Sequence, residues 1–193
     1  MGTRKVIKDD VLNWREEPIS SDIESIRKIV GSTDFFSLEE RSIAVELAEE
    51  RLTEGVSSGY HFLFAEGEGT VVGYACFGPI PGARGSFDLY WIAVSNDQRG
   101  LGLGKVIMTK AEQKIGALGG TRIYIETSSR AQYKPTRAFY SKCGYKEEAV
   151  LKDFYSLGDD KIIYVKILSA GKRQGAPGAL NETGYGGASN DWQ

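Results

Sequence analysis

The run Arg99-Gly100-Leu101-Gly102-Leu103-Gly104-Lys105 alternates three glycines with two leucines and closes on a lysine. An apolar segment, Tyr90-Trp91-Ile92-Ala93-Val94, leads into it. Beyond it, Ile107, Ala111, Ile115 and Leu118 recur at spacings of four, four and three, the period of one helix face. Strand, glycine loop and helix start together make a site for phosphate. Glycine lets backbone N–H groups approach an anion, and the helix N-terminus adds partial positive charge. Two nucleotide patterns fail here. A P-loop needs Ser or Thr after its Gly-Lys, to hold magnesium, and Lys105 is followed by Val106. A dinucleotide loop counted from Gly100 needs a glycine where Lys105 stands, although Glu126 lies near the distance expected of a ribose-binding acid. The plain alternative is a glycine-rich turn before a surface helix.

Composition narrows the classes around this loop. A chain of 193 residues can bury one substantial core. A formal net charge of -2 lends no support to nucleic-acid binding. No apolar run approaches the roughly 20 residues of a membrane helix, so no membrane association is expected. Met1 to Asp10 is too polar for a signal peptide. Cys76 and Cys143 lack metal spacing and suit a reducing cytoplasm, the localisation expected. His61 is the only histidine, which excludes a His-rich metal site, and no metal is expected.

The element order follows from periodicity and punctuation. Residues 1–10 read as a flexible lead-in. Val11 to Glu17 reads as a strand with Leu12 and Trp14 on one side, ended by Pro18. Ser21-Asp22-Ile23-Glu24 and Ser37-Leu38-Glu39-Glu40 read as capping boxes for two helices. The second is expected to run to about Glu54, with Leu38, Val45 and Leu52 inward. Phe35 and Phe36, between the helices, are either a pocket wall or packing for the helix pair. Tyr60 to Glu66 and Thr70 to Phe77 form a hairpin across Gly67-Glu68-Gly69. His61 reads as a packed strand residue. Ser86 to Val94 is the strand that enters the glycine loop. Thr121 to Thr127 is a strand with Ile123 and Ile125 on one face, Tyr124 and Glu126 on the other. Pro135 suits the first turn of a helix ending at Gly144. Tyr145 to Leu151 and Lys161 to Leu168 close the pattern, joined through Asp153 to Asp160. Residues 170–193, rich in glycine and small polar residues, read as a disordered tail. The folded unit is therefore 11–169, an α+β layered fold with a mixed sheet.

The glycine loop also fits Arg/Gln-x-x-Gly-x-Gly/Ala at Arg99, Gly102 and Gly104. About 40 residues later comes Arg137-Ala138-Phe139-Tyr140-Ser141-Lys142-Cys143-Gly144-Tyr145, a short helix carrying Phe-Tyr and then Gly-Tyr before a strand. In both motifs the chain resembles the GNAT superfamily of N-acetyltransferases, over roughly Val11 to Leu168. The resemblance implies the GNAT fold, a mixed central sheet flanked by helices, with acetyl-CoA as donor. It implies that Ile92, Ala93 and Val94 pair with the pantetheine arm, and that Gly100, Leu101, Gly102, Leu103, Gly104 and Lys105 receive the pyrophosphate, with Arg99 and Lys105 adding charge. Tyr140 matches the tyrosine that protonates the departing thiolate. A phenol pKa of about 10 against about 8.5 for a thiol makes proximity count more than tuning. A packed helix aromatic is the other reading of Tyr140.

Glu126 matches a position where some members carry the general base, directly or through water. It could equally hold the acceptor ammonium or only a loop. Asp88 is its rival, and Tyr90, Phe35, Phe36 and Tyr155 are candidate acceptor-side residues. The chain departs from the family at Tyr133, where many relatives carry an asparagine that contacts pantetheine. Thr127, Ser128 and Ser129 are candidate substitutes for it. The expected activity is acetyl transfer to a small-molecule primary amine by direct attack in a ternary complex. The alternatives are a catalytically silent acyl-CoA-binding sensor and a protein N-terminal or lysine acetyltransferase. Many relatives dimerise, so a homodimer stays open.

Overall fold

A computed structural model describes residues 12–33 and 35–168. The expected lead-in at 1–10 and the tail at 170–193 lie outside the described residues. In chain order the elements are β1 (Asn13–Arg15), α1 (Asp22–Gly31), α2 (Leu38–Glu54), β2 (His61–Gly67), β3 (Thr70–Pro79), β4 (Ser86–Val94), α3 (Leu103–Ala117), β5 (Arg122–Ser128), α4 (Lys134–Lys142), β6 (Lys146–Ser156) and β7 (Asp159–Ile167). The strands form one mixed sheet in the order β1-β2-β3-β4-β5-β7-β6. All neighbours are antiparallel except β4 and β5, which run parallel.

Strand alternation sorts the core into two layers. Phe62 and Phe64 of β2 face α1 and α2 and meet Ile26, Val30, Ala44, Ala48 and Tyr74. Leu63 and Ala65, on the opposite face, join Leu103, Ile107, Met108 and Ile115 of α3 with Ile123 and Ile125 of β5. Burying each such Ile, Leu or Phe is worth about 1.5–3 kcal/mol. β2 is therefore apolar at consecutive positions because helices cover both its faces.

Several local expectations change. The Ser21 box does not form: Ser21 makes no side-chain cap. Asp22 is buried instead, taking two bonds from the Arg15 guanidinium at 2.7 and 2.8 Å and one from the Ile19 N–H at 2.7 Å. A carboxylate removed from water goes to the cation that can bind it bidentately. The Ser37 box does form. Leu38 and Leu52, expected inward on α2, are 81% and 38% exposed, and Ala44, Val45, Ala48 and Arg51 take the inner face. Leu118, expected on the inner face of α3, sits beyond the last turn and is exposed. The segment 153–160, expected as a connection, is mostly strand: β6 runs to Ser156 and β7 starts at Asp159. Pairing there jumps from Leu151↔Lys161 to Ser156↔Asp159, so Lys152 to Tyr155 bulge out of the sheet.

The feature that positions the site is a split. β4 and β5 pair only from Ser86↔Arg122 to Asp88↔Tyr124. On its other edge β4 stays paired with β3 up to Val94, and β5 stays paired with β7 up to Ser128. The register between β3 and β4 passes from Cys76↔Trp91 to Phe77↔Leu89, which leaves Tyr90 as the extra residue of a bulge. A bulge bends its strand and increases the local twist. This one lies two residues past the last β4–β5 pair and turns β4 away. Gly78 makes room for it: a Cβ there would stand 2.4 Å from the Gly59 carbonyl oxygen and 3.2 Å from the Tyr90 ring.

Gly78→Ala is therefore expected to cost about 1–3 kcal/mol by overpacking, a fall in Tm of roughly 2–12 °C on thermal denaturation. An unchanged Tm would contradict the close approach of Gly78 to the Gly59 carbonyl oxygen.

Candidate active site

The glycine loop occupies the open end of β4. Gly100 and Gly102 have φ of 76° and 89°, the left-handed region that side chains resist. Gly102 caps α3 without a side chain, and its carbonyl accepts from Lys105 and Val106 N–H at 3.0 and 3.3 Å. The N–H groups of Leu103 and Gly104, in the first turn, have no intrahelical acceptor. They remain available to an anion. Leu103 is buried and pins the loop to the core, and with Arg99, Gly100, Gly102, Gly104 and Lys105 it also lines a cavity. Leu101 is not in that lining.

The cavity, about 1070 Å³, fills the split. Tyr90, Trp91, Ile92, Ala93 and Val94 form one wall; Glu126, Thr127 and Ser128 form the other. Because β4 has no β5 partner beyond Asp88, its backbone edge along Ile92 to Val94 faces this space. Phe139 and Tyr140 of α4 line it near the glycine loop, and Phe35, Phe36 and Tyr155 line it elsewhere. Phe36 also packs edge-on against Trp91 at 4.8 Å, so wall and packing are one role. Among the described residues no group of three or more His, Cys, Asp or Glu is placed to hold a metal. His61 stacks on Phe77 at 5.7 Å and is outside the lining.

Tyr140 is 7% exposed and ringed by Phe139, Tyr145 and Tyr164 at 5.7, 6.3 and 5.8 Å. Burial in this aromatic cage drives its phenol pKa well above the ordinary value. Burial therefore favours the protonated phenol, which can donate its proton in a hydrogen bond. Glu126 lies on the opposite face of β5 from Ile123 and Ile125, half exposed. Its carboxylate is paired with Lys161 at 2.6 Å, and Lys161 lies over the Phe154 ring at 3.7 Å. Asp88 is outside the cavity lining, half-buried beside this pair. Burial raises its pKa, the Glu126 charge raises it further, and Lys161 offsets part of both.

Tertiary contacts account for the other candidates. Arg99 makes no ion pair among the described residues; its guanidinium lies over the Phe35 ring at 5.0 Å, and burial lowers its pKa. The Ser128 and Ser129 hydroxyls are already engaged. Ser128 bonds the buried Asp159, and Ser129 accepts from the Asp160 N–H at 2.8 Å. Asp159 also pairs with Arg130 at 2.9 Å. From α4, Arg137 donates to the Ser128 and Arg130 carbonyls at 2.6 and 3.1 Å and holds the turn after β5 against that helix. Sequence reasoning missed Arg130, Asp159 and Glu40 as lining residues. Asp159 sits in a segment that reads as loop, and Glu40 reads only as a cap; neither carries a local signal of its distant partner.

Comparison with known proteins gives a consistent assignment. Residues 23–145 match the family model described as the acetyltransferase (GNAT) family. An uncharacterised N-acetyltransferase of Methanocaldococcus jannaschii is 30% identical over 119 residues, 62% of this chain and 70% of that protein. The crystal structure of a GNAT-family protein from Desulfovibrio desulfuricans has a TM-score of 0.79 at 42% identity, covering 81% of this chain and 98% of that one. An aminoglycoside 6'-N-acetyltransferase in complex with coenzyme A shares the fold at a TM-score of 0.64 and 16% identity, over 81% of this chain and 96% of that one.

The Asp88 environment predicts a pH dependence. The folded state raises this pKa above its unfolded value, so it holds the proton more tightly, and stability falls as pH climbs through that interval. Asp88→Asn is expected to raise Tm at pH 7, with the gain shrinking as thermal melts are repeated towards pH 4. A gain that grows on acidification would contradict the burial argument.

Proposed function

The chain belongs to the GNAT acetyltransferase family and is an acetyl-CoA-dependent acyltransferase, and on that premise we propose that it acetylates the primary amine of a small molecule by direct attack in a ternary complex. The observation that carries this reading is the split itself. A free strand edge, an anion-ready helix start and a caged tyrosine open into one cavity. These residues fit acetyl-CoA. The backbone of Ile92 to Val94 would hold the pantetheine arm as an added strand. The N–H groups at the start of α3, with Lys105 and Arg99, would hold the pyrophosphate. Arg99 would leave the face of Phe35 to do so. That the fold accommodates coenzyme A in an aminoglycoside acetyltransferase supports this use of the cavity.

The chemistry needs three things from the chain. The attacking amine must be neutral, the carbonyl oxygen needs a donor as it gains charge, and the sulfur needs a proton partner. A β4 backbone N–H facing the split supplies the carbonyl donor. The amine nitrogen bonds to the carbonyl carbon, the carbon–sulfur bond breaks, and the proton released by nitrogen offsets the one gained by sulfur. Tyr140, held protonated, donates to the departing thiolate. Glu126, the carboxylate on the β5 wall of the cavity, takes the ammonium or its proton, with Lys161 as its exchange partner. Asp88 adds negative charge behind it.

Direct attack is supported by the cysteines. Cys76 is buried in the core and Cys143 is outside the cavity lining. Burial pushes both thiol pKa values up, and a thiol that holds its proton is a poor acyl acceptor. A small acceptor is supported by the aromatic lining: Phe35, Phe36, Tyr90, Trp91 and Tyr155 all border the cavity.

Calorimetric titration with acetyl-CoA, with ATP and NADH as controls, tests the donor site, and CoA release across a panel of amines tests the transfer. Acetyl-CoA alone is expected to bind, and at least one small amine is expected to accelerate CoA release. Preference for ATP or NADH would overturn the loop assignment. Tyr140→Phe is expected to lower kcat about 100-fold with the acetyl-CoA Kd within about twofold. An unchanged kcat would remove Tyr140 from the reaction.

A further inference from the structure

Beyond Asp88 the halves of the sheet separate, yet a second connection rejoins them at the open end. Phe35 to Glu40 belong to the α1–α2 half, and Gln132 and Tyr133 belong to the half built on β5 and α4. The Tyr133 hydroxyl donates to Glu40 Oε1 at 2.9 Å and lies 3.4 Å from the Phe35 carbonyl oxygen. Gln132 Nε2 donates to the same carbonyl at 3.0 Å. The other carboxylate oxygen of Glu40, Oε2, accepts from the Ser37 N–H at 2.7 Å, and Ser37 Oγ accepts from the Glu40 N–H at 3.1 Å. One carboxylate therefore caps α2 and ties that cap to a segment 93 residues away. The Phe35 ring meets Tyr133 edge-on at 6.4 Å, and Arg130 lies 5.4 Å from the centre of the Tyr133 ring. Tyr133, Glu40, Phe35 and Phe36 all line the cavity.

We propose that the Tyr133–Glu40 hydrogen bond is a clasp across the open end of the split that limits the entry of water along the donor towards its thioester, with Tyr133 a positioning residue acting through Glu40 and Phe35. The inference rests on acetyl-CoA occupying the split. The competing reaction is hydrolysis: water attacks the thioester carbonyl carbon, the carbon–sulfur bond breaks, and acetate and the CoA thiol leave. Phe35 and Phe36, tethered at the mouth of the cavity by two polar bonds, narrow that entry without contacting the reacting atoms. Tyr133 suits a permanent clasp. Its burial, with the bond to Glu40, pushes its pKa up to about 12, so the donor proton stays in place across the physiological range.

The test uses acetyl-CoA alone and follows CoA release with no acceptor present. Tyr133→Phe keeps the ring and removes only the hydroxyl. It is expected to raise acceptor-free CoA release about fivefold, the worth of one hydrogen bond, with the acetyl-CoA Kd within about twofold. Glu40→Gln is the conservative control. Its amide can donate to the Tyr133 hydroxyl while its oxygen still accepts from Ser37, so release is expected to stay low. Glu40→Ala is expected to behave like Tyr133→Phe. Hydrogen exchange on the free protein is read beside it, with residues 36–43 expected to exchange faster in Tyr133→Phe. Faster exchange with unchanged CoA release would overturn the water-excluding role. Unchanged exchange would overturn the clasp itself. Loss of acetyl-CoA binding in Tyr133→Phe at unchanged Tm would make Tyr133 a donor contact instead. Failure of the parent protein to bind acetyl-CoA would count against the proposed function, and the exchange measurement would still judge the clasp.

Discussion

Past Asp88, β4 has a neighbour on one edge only. A strand edge inside a sheet, open to a cavity instead of a partner, carries backbone donors and acceptors that a substrate can satisfy. The rest of the molecule preserves that opening. The Tyr90 bulge turns β4 away, Gly78 leaves space for the bulge, and β3 and β7 hold the two diverging strands from outside. Without the split, the glycine loop would cap a helix over a closed sheet and have no substrate arm to receive.

The two walls are held by different means. The β4 wall rests on apolar packing, with Ala93 and Trp91 against the α1–α2 layer. The β5 wall is held by polar bonds: Arg137 to two carbonyls, Ser128 and Arg130 to the buried Asp159, and Ser129 to the Asp160 backbone. A buried carboxylate needs such partners, since leaving it unpaired costs more than each bond returns. The same logic holds Asp22 with Arg15 at the far edge of the sheet, where Glu66 takes the remaining guanidinium nitrogen. The buried carboxylates Asp22 and Asp159 are consequently structural. The charges left half exposed at the split, Glu126 and Arg99, remain free to exchange partners.

Tyr140 shows how packing prepares a chemical group. The same aromatic neighbours that bury its ring raise its pKa and favour the protonated phenol, while the residue still lines the cavity. In the proposed reaction, a donor held ready in such a wall requires no reorganisation when charge develops on sulfur.

Local rules carried the sequence reading a long way. The glycine spacing at Gly100 to Gly104, the period of Ile107, Ala111 and Ile115, and the Ser37 box are properties of short segments, and each folds as its pattern implies. The alternation in Thr121 to Thr127 likewise put Glu126 on the face away from the core. Leu38, Leu52 and Leu118 failed because hydrophobicity was read where only the neighbouring layer could assign a face. Ser21 failed because its backbone is already helical, with φ -70° and ψ -15°, where a cap residue is extended. The bulge at Tyr90, the Lys161–Glu126 pair and the Tyr133–Glu40 bond could not be read locally. Each joins segments that are distant in the chain, and register, burial and charge are set by what lies across the sheet, not by what lies next in sequence.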